Sequence, residues 1–230
     1  MPFSDLPDRL REVQEKIDAA TARGGRGQRV RVVAVTKGHG PESVKAAVEA
    51  GVQDVGENRV QEALAKMDVV TLPVLPVRWH LIGHLQRNKV KHAGRFALVH
   101  SMDSGRLADA LDELGRTQGK PLEVLAQVNV VGETSKGGYG IADMRAEAER
   151  LRGMTGLVVR GVMAMAPLDA DEATLRTVFG GARRTRDILC QAGHPATELS
   201  MGMSNDFEIA VEEGATYVRL GTILFGARSA

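Results

Sequence analysis

Eight short apolar segments alternate with stretches of helical spacing along this chain, and this alternation constrains the fold more than any other feature. The clearest apolar segment, VRVVAVT at residues 30–36, is rich in β-branched residues and nearly continuous. Such a segment is typical of a strand buried on both faces of a parallel sheet. Because eight strand–helix units can close into a barrel, the sequence predicts a single-domain (β/α)8 TIM barrel spanning residues 1–230.

The predicted strands and helices follow one another without a linker. We expect strands at residues 30–36, 53–55, 78–82, 97–100, 122–130, 157–163, 197–199 and 216–220. We expect helices from 41 to about 50 and at 58–67, 86–93, 104–118, 172–191 and 205–213, and one more helix that ends near residue 152. An open, doubly wound sheet is the alternative, but the turn KGHG at residues 37–40 lacks the glycine spacing of a dinucleotide site.

An extra amphipathic helix is predicted before the first strand. The apolar residues that recur there at helical spacing are Leu6, Leu10, Val13 and Ile17. Ser4 is the candidate N-cap, and the glycine-rich run at 24–27 is expected to end the helix.

The charge balance argues against a polyanionic partner. The chain has 30 Lys and Arg against 29 Asp and Glu, so we expect neither nucleic acid nor an anionic membrane surface to bind it. No apolar run approaches the roughly 20 residues that span a bilayer, and no secretory signal is evident. The single cysteine, Cys190, excludes an intrachain disulfide and is predicted to be a small buried residue. We therefore expect a cytoplasmic protein.

Lys37 is the first candidate for chemistry, because it ends the first predicted strand. Active sites of (β/α)8 barrels lie at the C-terminal ends of the strands. Val33, Val35 and Lys37 share one strand face, so Lys37 points into the barrel mouth if the valines point inward. Partial desolvation there favours the neutral amine, which can attack an aldehyde to form a Schiff base. A lysine that extends from the strand end into solvent is the alternative.

The segments after the seventh and eighth strands are candidates for a phosphate site, as is usual in this fold. Gly202 and Gly221 allow close approach of the backbone, and their neighbours Ser204 and Thr222 offer hydroxyl groups. Both hydroxyls can instead serve only as helix N-caps, and the carboxylate of Asp206 would compete with an anion.

Arg219 lies within the eighth strand, two residues before Gly221. A charge near the barrel interior must either be paired with a carboxylate, for which Glu123 is a candidate, or face a ligand. A lysine amine, a phosphate site and an arginine in one barrel mouth together suggest pyridoxal 5'-phosphate (PLP).

Other polar residues give weaker signals. His80 and His84 are four residues apart but fall on a strand and its following loop, so we expect no metal site there. Glu123, Gln127 and Asn129 of the fifth strand are predicted to face inward, as a buried network or a pocket wall.

Six motifs make the sequence similar to the PLP homeostasis protein family over nearly the whole chain. They are AVTK at 34–37, GENRVQE at 56–62, WHLIGHLQRNK at 79–89, RGVM at 160–163, LSMGMSND at 199–206 and VRLGTILFGAR at 218–228. The resemblance implies a barrel like the N-terminal domain of alanine racemase. It also implies that Lys37 carries PLP as a Schiff base and that Arg219 faces the pyridine nitrogen.

The resemblance assigns five further residues to the pocket. It implies that Ser204, Gly221 and Thr222 hold the phosphate of PLP. It also implies that Asn58 and Met163 line the pocket.

As a function, the resemblance implies handling of PLP in intracellular homeostasis, with no defined reaction. Such a carrier or buffer would supply apo forms of PLP-dependent enzymes, and both a monomer and a weak homodimer fit the sequence. A PLP-dependent, racemase-like enzyme is one alternative, and an aldolase that uses Lys37 on a phosphorylated sugar is another. A cation beside the pyridine nitrogen disfavours its protonation and weakens the ring as an electron sink, which favours the carrier.

Overall fold

The computed structural model describes residues 3–70, 76–133 and 137–226, and within them eight strands close into a barrel. The strands are β1 Arg31–Val35, β2 Asp54–Glu57, β3 Arg78–Leu81, β4 Leu98–Met102, β5 Leu122–Val128, β6 Leu157–Ala164, β7 Glu198–Ser200 and β8 Tyr217–Leu220. The helices are α1 Leu6–Gly24, α2 Pro41–Glu49, α3 Val60–Val69, α4 Gly105–Thr117, α5 Met144–Arg152, α6 Glu172–Gln191, α7 Phe207–Glu212 and α8 Thr222–Phe225. A 3-10 helix, Arg87–Arg95, lies between β3 and β4.

Parallel pairing of β1 with both β2 and β8 closes the sheet. Ala34 lies opposite Val55 on one side and opposite Leu220 on the other. The predicted (β/α)8 barrel, with an extra helix before its first strand, is therefore confirmed. Among the helices of the described residues, none has the length and apolar character needed to cross a bilayer.

Apolar side chains form two separate clusters, one between the sheet and the helices and one inside the barrel. The interior cluster consists of Val33, Leu98, Leu125, Met163 and Tyr217. Alternate residues of a strand point to opposite faces, so Val33 faces inward while Val32 and Ala34 pack against the helices. Lys37, two periods beyond Val33, therefore leaves the strand at the mouth of the barrel.

Helix α1 packs against α7 and α8 and ends with Gly25 in the left-handed region, at φ 60°. The prediction that Ser4 caps this helix is wrong, because the N-cap residue is Asp5, whose side chain makes no capping hydrogen bond. A cap at Ser4 would need the backbone N–H of Leu6 or Pro7. The N–H of Leu6 donates to the carbonyl of Phe3 at 3.1 Å, and proline has no N–H.

The predicted helix at 86–93 is also wrong in type, since residues Arg87–Arg95 form a 3-10 helix. Its buried residues, Val90 and Ala93, are three positions apart. A turn of three residues places both on the same side, which the wider α-helical turn does less well.

Two predictions about side-chain burial are wrong. Glu123 does not face a buried network; it is exposed and pairs with Arg160 at 2.5 Å. It is the second residue of β5, at the N-terminal rim, where an inward direction still reaches solvent. Cys190 is exposed as well, because it follows the buried Leu189 by one residue and so leaves the apolar face of α6.

Candidate functional site

A cavity of about 800 Å³ opens at the C-terminal ends of the strands. This volume is within the roughly 300–1,000 Å³ typical of small-molecule sites. Predicted site residues that line the cavity are Lys37, Asn58, Ser204, Arg219, Gly221 and Thr222. Met163 does not line it; this side chain is fully buried in the interior cluster below. Met165, the residue that follows β6, reaches the cavity instead.

Hydrogen bonds to the neighbouring residues Thr36 and Gly38 fix the backbone at Lys37. The hydroxyl of Thr36 donates to Oε1 of Glu57 at 2.5 Å, and the carbonyl of Thr36 accepts a hydrogen bond from Nζ of Lys66 at 2.8 Å. On the other side, the N–H of Gly38 donates to Oε1 of Glu62 at 2.7 Å. The backbone on both sides of Lys37 is therefore tied to β2 and α3.

Glu57 and Lys66 form a buried ion pair behind this loop, which we call the Glu57–Lys66 clamp. Nζ of Lys66 lies 2.6 Å from Oε1 of Glu57, and the two residues are 5% and 0% exposed, respectively. Burial raises the pKa of the Glu57 carboxyl, although hydrogen bonds from Lys66 and Thr36 oppose the shift. The clamp lies on the outer face of the sheet and holds the backbone beside Lys37 through the hydroxyl and carbonyl groups of Thr36.

The loops after β7 and β8 lie side by side at the opposite wall of the cavity. Gly202 has a φ of 91°, and a Cβ there would lie 2.7 Å from Cβ of Ala210 and 2.9 Å from Cα of Phe207. The hydroxyl of Ser204 accepts from the N–H of Ile223 at 3.4 Å, which joins the two loops. Glycine is therefore required at position 202 for the first loop to fold back against α7.

Asp206 was expected to compete with an anion bound at these loops. Its Oδ1 instead accepts the backbone N–H of Met203 at 2.5 Å, so the carboxylate closes its own turn. Burial raises the pKa of this carboxyl, while the Met203 hydrogen bond and the charge of Arg219 oppose the shift.

Arg219 is 5% exposed and lines the cavity from below the β7 loop. One terminal nitrogen donates to the hydroxyl of Ser200 at 2.7 Å, and the other donates to the carbonyl of Ala164 at 2.9 Å. Burial lowers the pKa of Arg219 to about 10, with the charge of Asp206 opposing. The ion pair suggested with Glu123 is not formed, since Glu123 pairs with Arg160 at the other end of the barrel.

A line of hydrogen-bonded polar side chains runs through the barrel interior to Arg219; we call it the interior chain. It consists of Asp54, His80, His100, Ser200 and Arg219. Of these five residues, only Arg219 was predicted from the sequence to belong to the site. Alternation with inward apolar residues along β3 and β4 could have indicated the histidines, but not their partners.

Two polar groups stand at the rim of the cavity. Nδ1 of His84 lies 2.9 Å from Oδ2 of Asp103, and both residues line the cavity. Gln127 lines it as well and donates to the carbonyl of Gly137 at 2.8 Å. Within residues 3–70, 76–133 and 137–226, no group of three or more His, Cys, Asp or Glu side chains could hold a metal ion.

Comparison with known proteins identifies the family. The family described as alanine racemase, N-terminal domain, matches residues 9–229. The PLP homeostasis protein of Aquifex aeolicus is 39% identical over 224 residues, which cover 96% of this chain and 97% of that protein. The PLP homeostasis protein of Pseudomonas aeruginosa is 40% identical over 228 residues, which cover 98% and 97%, respectively.

The chain belongs to the PLP homeostasis protein family. Among solved structures, PipY of Synechococcus elongatus without PLP superposes with a TM-score of 0.86 at 37% identity, covering 96% of this chain and 100% of PipY. The structure of PipY with PLP bound gives a TM-score of 0.85 at 36% identity, with the same coverage. The resemblance first indicated by the six motifs is therefore confirmed.

The cavity of this family member has a chemical layout that fits PLP. One wall carries the amine of Lys37, and the opposite wall carries the glycine-containing loops with the hydroxyls of Ser204 and Thr222. The buried cation of Arg219 lies between these loops and the interior. A small planar molecule with an aldehyde and a phosphate at different positions matches this set of groups.

Proposed function

We propose that this chain binds PLP as a Schiff base on Lys37 and serves as a carrier or buffer in intracellular PLP homeostasis, without robust turnover. The observation that carries the proposal is the convergence of Lys37, Arg219 and the loops after β7 and β8 on one cavity. The PLP-bound structure of PipY, which matches this chain over nearly its whole length, supports the same ligand.

Each group in the cavity has a proposed role toward PLP. Bound PLP supplies an aldehyde that an amine captures reversibly and a ring that can withdraw electrons. Lys37 provides that amine, and Ser204, Gly221 and Thr222 hold the phosphate. Arg219 faces the ring nitrogen with a positive charge.

Two further residues shape the pocket in this proposal. Asn58 follows β2 and forms part of the side wall, where a Cβ on Gly83 would lie 2.3 Å from the carbonyl oxygen of Asn58. Met163 supports the floor from the interior cluster, with Met165 packed against that cluster. Contact between Met163 and the cofactor is therefore indirect.

The proposed recipients of PLP are apo forms of PLP-dependent enzymes in the cytoplasm, with the carrier acting as a monomer or a weak homodimer. The net charge of +1 supports small-molecule and protein partners over nucleic acid. Reversible capture suits delivery, because the amine of Lys37 can release the aldehyde that it binds.

The test of the ligand is an absorption spectrum of the purified protein after addition of PLP. We expect a visible band that disappears on borohydride reduction and that Lys37→Ala abolishes. Lys45→Ala, at an exposed lysine of α2, is the matched control and should keep the band. A band that persists in Lys37→Ala would move the anchor to another lysine, such as Lys136, which lies outside the described residues.

A second function, a racemase-like enzyme, is favoured by the His84–Asp103 pair at the cavity. A histidine oriented by a carboxylate is a suitable general base. Incubation of the PLP-loaded protein with L-alanine in deuterated water separates the two functions. Exchange of the α-proton at ordinary enzyme rates, about 1 per second or faster, would contradict the carrier. Transfer of PLP to an apoenzyme without such exchange would support it.

A further inference from the structure

The interior chain crosses the barrel from its lower rim to the proposed cofactor pocket. Nε2 of His80 lies 2.8 Å from Oδ1 of Asp54, and Nδ1 of His80 lies 2.9 Å from Nε2 of His100. Nδ1 of His100 lies 2.8 Å from Oγ of Ser200, which accepts from Arg219 at 2.7 Å. The chain therefore joins β2, β3, β4, β7 and β8 across the interior.

Counting hydrogens assigns a direction to every bond in this chain. Arg219 can only donate, so Oγ of Ser200 accepts from it; Oγ gives its own hydrogen to Nδ1 of His100 when that ring is neutral and carries its proton on Nε2. His100 then donates from Nε2 to Nδ1 of His80. His80 in turn donates from Nε2 to the carboxylate of Asp54. With both histidines neutral and protonated on Nε2, every polar atom between Arg219 and Asp54 is satisfied.

The charges at the two ends support this direction. Burial lowers the pKa of His100 well below its ordinary value, and the nearby charge of Arg219 adds to the shift. Burial opposes ionisation of Asp54, but hydrogen bonds from His80 and Arg78 hold its pKa below the ordinary value. The chain thus connects a buried cation at one end to an ionised carboxylate at the other, with a neutral His100 between them.

Ring packing holds the planes of both histidine rings. The rings of His80 and His100 stand 5.1 Å apart at 70°, and each also contacts the ring of Tyr217, at 5.6 and 5.8 Å respectively. Arg31 covers Tyr217 from below, with its guanidinium carbon 3.9 Å from the ring centre. The packing fixes the two ring planes, and the hydrogen bonds to Asp54 and Ser200 determine which edge of each ring carries its nitrogens.

We propose that Ser200, His100 and His80 are positioning residues, which hold the guanidinium of Arg219 charged and aimed at the ring nitrogen of the cofactor. The identity of that cofactor rests on the proposed function, whereas the direction of the chain does not. Removal of the Ser200 hydroxyl breaks the chain at its contact with Arg219 and leaves the apolar packing nearly unchanged.

The first experiment uses the protein without PLP. We expect 15N–1H NMR of the imidazole rings to show His80 and His100 as neutral Nε2–H tautomers at pH 7.5. In Ser200→Ala, the Nδ1 resonance of His100 should shift downfield toward that of a nitrogen without a hydrogen bond. A wild-type His100 that is protonated on Nδ1, or an Nδ1 signal unchanged by Ser200→Ala, would overturn the proposed direction.

The second experiment uses PLP labelled with 15N in the ring. Loss of one buried hydrogen bond to a charged group should weaken PLP binding in Ser200→Ala on the order of tenfold. The 15N ring signal should shift in Ser200→Ala and return toward the wild-type value in Ser200→Thr, which keeps the hydroxyl. Thr185→Val removes a buried hydroxyl from α6 and is the matched control, which should leave the 15N signal and the affinity unchanged.

The two experiments separate failure of this proposal from failure of the proposed function. A wild-type protein that takes up no PLP, yet shows the expected tautomers, would refute the PLP function and leave the direction of the chain intact. A ring signal that stays constant across wild type, Ser200→Ala and Ser200→Thr, in a protein that does bind PLP, would refute the positioning role alone.

Discussion

Lys66→Met tests whether the Glu57–Lys66 clamp supports the Lys37 loop. Methionine preserves most of the aliphatic side chain on α3 but removes the ammonium group. Glu57 then keeps its hydrogen bond from Thr36, while the carbonyl of Thr36 loses the bond from Lys66. One buried carboxylate is left without its ion-pair partner.

The expected cost in stability is large because both partners are buried. Removal of one member of a buried ion pair costs about 3–5 kcal/mol of unfolding free energy. The cost depends on pH, because burial already raises the pKa of Glu57 and the variant removes its cation. In the folded variant, Glu57 keeps its proton at pH values where the same carboxyl of the unfolded chain, with the ordinary pKa of 4.5, has lost it. The free energy of unfolding therefore decreases as pH rises. We expect a larger deficit at pH 8 than at pH 6.

The assay is urea unfolding of the PLP-free protein at both pH values. Lys45→Met, the same substitution at an exposed position of α2, should change the free energy by about 0.5 kcal/mol or less. Glu57→Gln combined with Lys66→Met should recover much of the loss, since no carboxylate remains buried. A Lys66→Met variant within about 1 kcal/mol of wild type at both pH values would refute the importance of the clamp.

Two further predictions concern buried groups near the pocket. Because the pKa of His100 is depressed in the folded state, this imidazole takes up a proton below pH 6.5 only in the unfolded chain. Lowering the pH from 7.5 to 5.5 should therefore reduce the free energy of unfolding by about 1.4 kcal/mol through this residue. His100→Gln should remove that part of the pH dependence in urea unfolding, and parallel curves would contradict it. Gly202→Ala should lower the melting temperature far more than Gly193→Ala, because both have a φ of 91° but only Gly202 would place a Cβ against neighbouring atoms. Equal losses of melting temperature would show that the strained backbone conformation alone, and not the steric contact of the new Cβ, sets the cost.

The fold was predictable because its signal is local. A strand that is buried on both faces forms a continuous apolar segment, such as 30–36, which can be recognised without knowing its neighbours. Such segments place all eight strands. The second strand was misplaced by two residues at its end, since Gly56 and Glu57 have no strand preference of their own. Pairing with β1 and β3 makes them strand residues, and pairing is not visible in one segment.

The site was predictable in part for the same reason. Lys37, Ser204 and Thr222 each follow a recognisable strand, and the cavity lies where parallel strands end. The groups around Lys37 and Arg219 were not predicted, because they meet only after the barrel closes. His100 and Ser200 are 100 residues apart, and Lys66 reaches Thr36 from a helix that packs on the outside of the sheet.

The two supporting networks lie on opposite faces of the sheet, and this separation has a consequence that can be measured. The clamp uses the outward residues Thr36 and Glu57, whereas the interior chain uses inward residues such as Ser200, and no residue belongs to both. Sites without shared partners usually have additive effects, to within about 0.5 kcal/mol. The losses of PLP affinity in Lys66→Met and Ser200→Ala should therefore multiply in the double variant. A double variant no weaker than the more affected single variant would show that one network acts through the other, and that Lys37 and Arg219 are not positioned independently.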